Sequence, residues 1–176
     1  MLNKNNKTMT HESTLYNNIV LLARNKIFYT KFKLKDTFQN RIHLIFIHVS
    51  FLFIKIKQKN DTDIYKTFYQ KTFDLLFKNI ELNMRELGYG DTTINKNMKS
   101  LVKIFYDILL NCENYENKNQ ALKNVFLSKY LKHQNPQKTA INLPLINYFD
   151  YYHSFCFDLS PNSVLTGDLN FIYKGL

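Results

Sequence analysis

The chain has two cysteines in 176 residues, Cys112 and Cys156. That is too few for a disulfide framework or a four-cysteine zinc site, so a reducing compartment is the natural reading. Glycine and proline are nearly as scarce, at four and three residues. The GYGD of Gly88 to Asp91 lacks both the downstream glycine of a dinucleotide fingerprint and the GK[ST] ending of a phosphate loop. The histidines His11, His43, His48, His133 and His153 are scattered. His43 and His48 fall about 140° apart around a helix, which is not a two-ligand metal face. His153 and Cys156 are close enough on a helix to touch, but no orienting third group or oxyanion donor accompanies them. Arg85 and Glu86 point in different directions and make no paired-carboxylate acid–base site. The sequence therefore gives no support for catalysis, and no metal or cofactor is expected.

The N-terminal MLNKNNKTMTHEST has neither the apolar core of a signal peptide nor the Arg-rich amphipathic pattern of a transit peptide. A bacterial, cytoplasmic protein is expected, with a disordered tail at 1–12 and one helical domain over 13–176. The most apolar run, Ile42 to Ile54, is shorter than the ~20 residues of a membrane span, carries two histidines, and is flanked by Arg41 and Lys55. It reads as a helix buried on nearly all sides, with a membrane-associated segment as the alternative.

What the chain has in quantity is positive charge and aromatic side chains. Lys and Arg number 24 against 14 Asp and Glu, a formal excess of +10, which favours RNA, anionic lipid or an acidic protein surface as partners. The abundance of Lys, Asn, Ile, Phe and Tyr also fits an AT-rich genome, so the charge weighs less as a functional signal. A chain of this length buries roughly 70% of its unfolded surface and folds as one domain without staples.

Hydrophobic spacing supports helices and little else, and so an all-α fold. The first helix is predicted over about Ser13 to Asn25, capped by Ser13 or Thr14, with Leu15, Ile19, Leu22 and Ala23 on one face. A basic segment with no acidic residue follows, containing Arg24, Lys26, Lys31, Lys33 and Lys35. Asp36 or Thr37 then opens the apolar helix, which runs to about Lys57, and 58–61 reads as a turn. Ile64, Phe68, Thr72, Leu76, Ile80, Met84 and Leu87 recur at helical steps over about Thr62 to Leu87, with Tyr65, Tyr69, Phe73 and Phe77 widening the stripe.

Gly88 falls where that helix needs a left-handed stop. Gly90 is expected to loosen the same turn, and Asp91 or Thr92 to cap the next helix, whose apolar line is Ile94, Met98, Leu101, Phe105, Ile108 and Cys112. Its opposite face carries Lys96, Lys99 and Lys103. The pattern describes a helical hairpin with a glycine hinge. Further helices are expected from Ala121 to Tyr130, from Pro144 to Phe157, and at SPNSVLT, with Gly167 as stop; the tail FIYKGL reads as a short extended piece.

With the helices placed, MRELGYGDTTINKNMKSLVKIFYDIL resembles the signature of the ubiquinol–cytochrome c chaperone family, the assembly factors of the cytochrome bc1 complex. Arg85, Glu86, Leu87 and Gly88, then Tyr89, Gly90 and Asp91, then Lys96 and Lys99, and lastly Phe105 and Tyr106 carry the likeness. Upstream, Tyr16, Ala23, Arg24, Phe28 and Tyr29 are similar to the family's opening helix and aromatic pair, and Asp36, Thr37, Arg41, His48 and Val49 to its next block. The resemblance extends over Leu15 to Leu110 and only loosely beyond Asn111.

It implies a non-enzymatic, all-helical chaperone for newly made cytochrome b. A small helper subunit, the ribosome near its tunnel exit and the anionic inner face of the membrane are partners it brings into view. The expected client surface is Arg24, Arg41, His48, Arg85, Glu86, Asp91, Lys96, Lys99 and Lys103, with Gly88 and Gly90 as the structural hinge. The alternative is a general basic RNA- or ribosome-binding helical protein.

Overall fold

A computed structural model describes residues 10–57, 63–135 and 142–174. The predicted turn at 58–61 and residues 1–9 of the predicted tail lie outside them. Among the described residues eight helical segments follow one another: α1 (His11–Ala23), α2 (Ile27–Thr30), α3 (Phe38–Lys57), α4 (Asp63–Glu86), α5 (Asp91–Glu113), α6 (Gln120–Tyr130), α7 (Leu143–Asp158) and α8 (Pro161–Thr166). The all-α expectation holds; among the described residues the only β pairing is one isolated antiparallel bridge, Leu34 with His133.

The apolar run forms the central pillar. α3 buries residues on every side, from Ile42 to Ile54 without a break, because α1, α4, α5, α7 and α8 pack around it. No helix among the described residues is long and apolar enough to cross a membrane. Three polar side chains lie inside this pillar with partners, and His43 meets the Tyr130 carbonyl at 2.8 Å. The His48 Nδ1 sits 2.6 Å from the Leu44 carbonyl and Nε2 sits 2.8 Å from the Tyr148 hydroxyl. A carbonyl only accepts, so Nδ1 carries the proton and Nε2 accepts from Tyr148. Burial lowers the His48 pKa from 6.5 to about 4, which keeps the ring neutral. Asn40 bridges two chain segments: its Nδ2 donates to the Lys35 and Lys132 carbonyls, and its Oδ1 accepts from the Lys132 N–H.

Several boundaries differ from the sequence reading, each for a capping reason. α1 starts at His11, inside the predicted tail, because Thr10 Oγ1 accepts from the Ser13 N–H. Thr37 caps α3, while Asp36 turns to Arg41 instead. α5 has Gly90 as its N-cap, with no side-chain bond, so neither Asp91 nor Thr92 caps it. Asn119, Asn142 and Ser160 cap the last three helices. Residues 171–174 of the C-terminal piece belong to no helix or ladder, and Phe171 is buried there against Tyr148, Tyr152 and Phe155.

The glycines differ in what they are for. Gly88 has φ +84°, and the Tyr89 N–H to Met84 carbonyl and Gly88 N–H to Arg85 carbonyl bonds complete a left-handed helix stop. Gly90 has φ −73° and open space beside it, so nothing in the turn requires glycine there. Gly167, at φ +74°, lies so close to α1 that an added Cβ would come within 2.6 Å of the Leu15 backbone nitrogen.

Candidate functional site

Three helices each turn one stripe toward a common groove of about 220 Å³. From α1 come Tyr16, Val20, Ala23 and the capping Arg24; from α3, Phe38, Arg41, Ile42 and Ile45; from α4, Ile80, Asn83, Glu86 and Leu87. Apart from the neighbours Ala23 and Arg24, Arg41 and Ile42, and Glu86 and Leu87, the steps are three or four residues, so helical periodicity aims most of these side chains at one place. Leu87, just before the glycine stop, is 60% exposed on the lip. Burial raises the Tyr16 pKa, and the Arg24 guanidinium partly offsets that rise.

The expected surface residues divide into three groups. Arg24, Arg41 and Glu86, drawn from three separate sequence blocks, meet at this groove. Arg85 and Asp91 face each other across the turn, with Arg85 Nη1 2.6 Å from Asp91 and Nη2 2.8 Å from Glu81. Lys96, Lys99 and Lys103 lie exposed along α5. His48 belongs to none of these: it is 0% exposed and bonded to Leu44 and Tyr148, so its place is in the core.

Charge pairing sorts them further. Arg41 holds Asp36 through two bonds, at 2.7 and 2.9 Å, which keeps that carboxyl below the usual carboxylate range. Arg85 straps the end of α4 to Asp91 in the first turn of α5, where a negative charge also suits the helix dipole. Arg24, Glu86, Lys96, Lys99 and Lys103 have no ion-pair partner within 4 Å among the described residues.

Sequence reasoning missed two features of this surface. Tyr106 and Leu110 continue the lysine stripe of α5, at steps of three and four, and both are exposed. The signal was visible as the same spacing, on the face opposite the core line. The second is that the basic segment gains Lys132: the Lys35 N–H donates to the Lys132 carbonyl and the Gln134 N–H to the Lys33 carbonyl. A contact between positions so far apart leaves no local trace in sequence.

The other chemistry considered has little to work with. Cys156 is fully buried, and burial pushes its thiol up, away from a reactive thiolate. His153 stacks on Phe157 at 4.3 Å. His43 and His48 turn to different partners, Tyr130 and Tyr148. A wider, shallow depression of about 660 Å³ lies between the starts of α1 and α4 and the end of α8, and none of the candidate residues lines it.

A model of the ubiquinol-cytochrome C chaperone family matches residues 30–148. The chain belongs to the ubiquinol–cytochrome c chaperone family. That match reaches beyond the blocks legible by eye, through α6 and into α7, and starts after α1. The packing accounts for the longer reach: α6 and α7 supply the Tyr130 and Tyr148 partners of His43 and His48. No curated protein matches. Among solved structures, the crystal structure of the Cbp3 homolog from Brucella abortus is similar, with a TM-score of 0.75 at 22% identity, over 93% of this chain and 89% of that one. At that identity the likeness speaks for the fold, and it agrees with the all-helical architecture of this ubiquinol–cytochrome c chaperone.

Proposed function

We propose that this chaperone acts in assembly of the cytochrome bc1 complex by holding newly made cytochrome b, without catalysing a reaction, and that the groove between α1, α3 and α4 is its client surface. The observation that carries this reading is the convergence of Arg24, Arg41 and Glu86 from separate family-like blocks onto one apolar groove. Gly88 fixes the direction in which α4 gives way to α5, and the Arg85–Asp91 pair holds that turn. The exposed α5 stripe of Lys96, Lys99, Lys103, Tyr106 and Leu110 extends the surface.

The test is quinol–cytochrome c reductase activity, with cytochrome b content, in membranes of cells lacking the protein. Loss of both, with other respiratory complexes intact, is expected; unchanged levels in a strain with no second copy of the family would overturn the reading.

One observation favours a second reading, general RNA binding: the basic edge from Arg24 to Lys35, joined by Lys132. It predicts affinity for unrelated RNA that falls steeply with salt, and absence of that affinity at low salt would eliminate it.

A further inference from the structure

The groove has an apolar floor and two unanswered charges of opposite sign. Arg24 stands at the C-terminal cap of α1 and Glu86 at the last residue of α4. Both are exposed, both line the groove, and no ion pair joins them. Elsewhere the chain pairs charges at this end of the fold readily, Arg41 with Asp36 and Arg85 with Glu81 and Asp91. Val20, Ile45 and Ile80 line the floor, the last two largely buried in the core, and about 220 Å³ has room for one or two aliphatic side chains.

We infer that the groove takes an amphipathic helical segment of a client protein, seating its apolar stripe on the floor, with an acidic residue of the segment answering Arg24 and a basic residue answering Glu86. This rests on the client-holding role proposed above and names the chemistry of what is held. A helix is the occupant that brings apolar anchors and charges to one face at steps of three and four. Charges of both signs matter, because a segment that leaves Arg24 or Glu86 desolvated and unpaired binds less well than one that pairs both. Arg41 contributes less, since Asp36 already occupies its fork.

The test uses the full chain and a fluorescent peptide of about 20 residues, long enough to populate a helix, with a leucine stripe flanked by one Glu and one Lys. Binding is read by anisotropy. R24E and E86K are each expected to weaken binding by on the order of tenfold. The double variant, R24E with E86K, restores the pair of opposite charges with its direction reversed, and the peptide binds it in the reversed orientation, regaining most of the affinity. Damage to the fold cannot produce that recovery, and circular dichroism verifies helix content in all three proteins.

A double variant weaker than either single one, single variants that bind as the parent does, or no binding by the parent chain would each overturn the inference. Replacing the peptide's leucines by glutamine abolishes binding if the floor is used, and unchanged binding overturns that part. The assembly role is read separately, by reductase activity in the deletion strain, so the groove chemistry can fail while the role stands.

Discussion

The seam between α3 and α7 and the groove between α1, α3 and α4 treat polar groups in opposite ways. In the seam, the imidazole of His48 is saturated by Leu44 and Tyr148, and the rings of Phe28, Tyr148, Phe149 and Tyr152 enclose it. In the groove, Arg24 and Glu86 border an apolar floor with no ion-pair partner among the described residues. A buried polar group without a partner costs stability, so the seam has to be satisfied internally. An exposed charge without a partner costs little in the free chain and leaves its pairing capacity for another molecule. The difference separates residues that hold the fold from residues available for recognition.

That comparison breaks most visibly at its interior side. H48A is expected to lower stability by about 4 kcal/mol, through a cavity and an orphaned Tyr148 hydroxyl, measured by chemical denaturation.

Lowering the pH attacks the same point. The native His48 pKa is about 4 against 6.5 when unfolded, so between those values the unfolded chain binds a proton that the native ring refuses. Stability therefore rises with pH across that window and falls as pH drops from 6.5 toward 4, by about 3 kcal/mol for this residue. His43, His133 and His153 are lowered in the same direction by burial. H48Q should make the melting temperature less dependent on pH over that range without removing the dependence.

The glycines give smaller, graded effects. G167A should cost at least about 2 kcal/mol, from a left-handed backbone and a clash with Leu15. G88A should cost about 1 kcal/mol from its φ alone. G90A should stay within a few tenths, about the scale of an N-cap change from glycine; a G90A cost equal to that of G88A would contradict the assignment of the stop to Gly88. Smallest of all on stability is the groove itself. R24E and E86K are expected to shift it by no more than about 0.5 kcal/mol, although both are expected to weaken client binding.

Much of the fold could be read from spacing. The α4 stripe from Ile64 to Leu87 and the α5 line from Ile94 to Cys112 are strong 3.6-residue patterns, and both helices end within a residue or two of the predicted places. Ile64 and Leu87 are nonetheless exposed, because periodicity marks a face without saying how far its neighbours extend. Caps were less legible. Thr10, Ser13 and Thr14 all suit an N-cap, and only the backbone path decides among them.

The site was legible in part. Arg24, Arg41 and Glu86 could be named from the family resemblance, but their meeting at one groove depends on how α1, α3 and α4 pack, which local sequence does not encode. His48 was named as a client residue by its match to a family block alone, although the apolar run around it already read as buried on nearly all sides; the family match records that the position matters, and packing in the core is sufficient for that. Gly90 was read as part of a hinge because glycine permits unusual backbone, yet its backbone is one any residue adopts.

The most direct test of the central claim is to tag the chain in cells where bc1 assembly is stalled after cytochrome b synthesis, purify it, and quantify the cytochrome b that comes with it. The account predicts co-purification with the parent chain, a several-fold loss with R24E or E86K, and recovery in the double variant. Cytochrome b that fails to accompany the parent chain, or that accompanies all three variants equally, would contradict it.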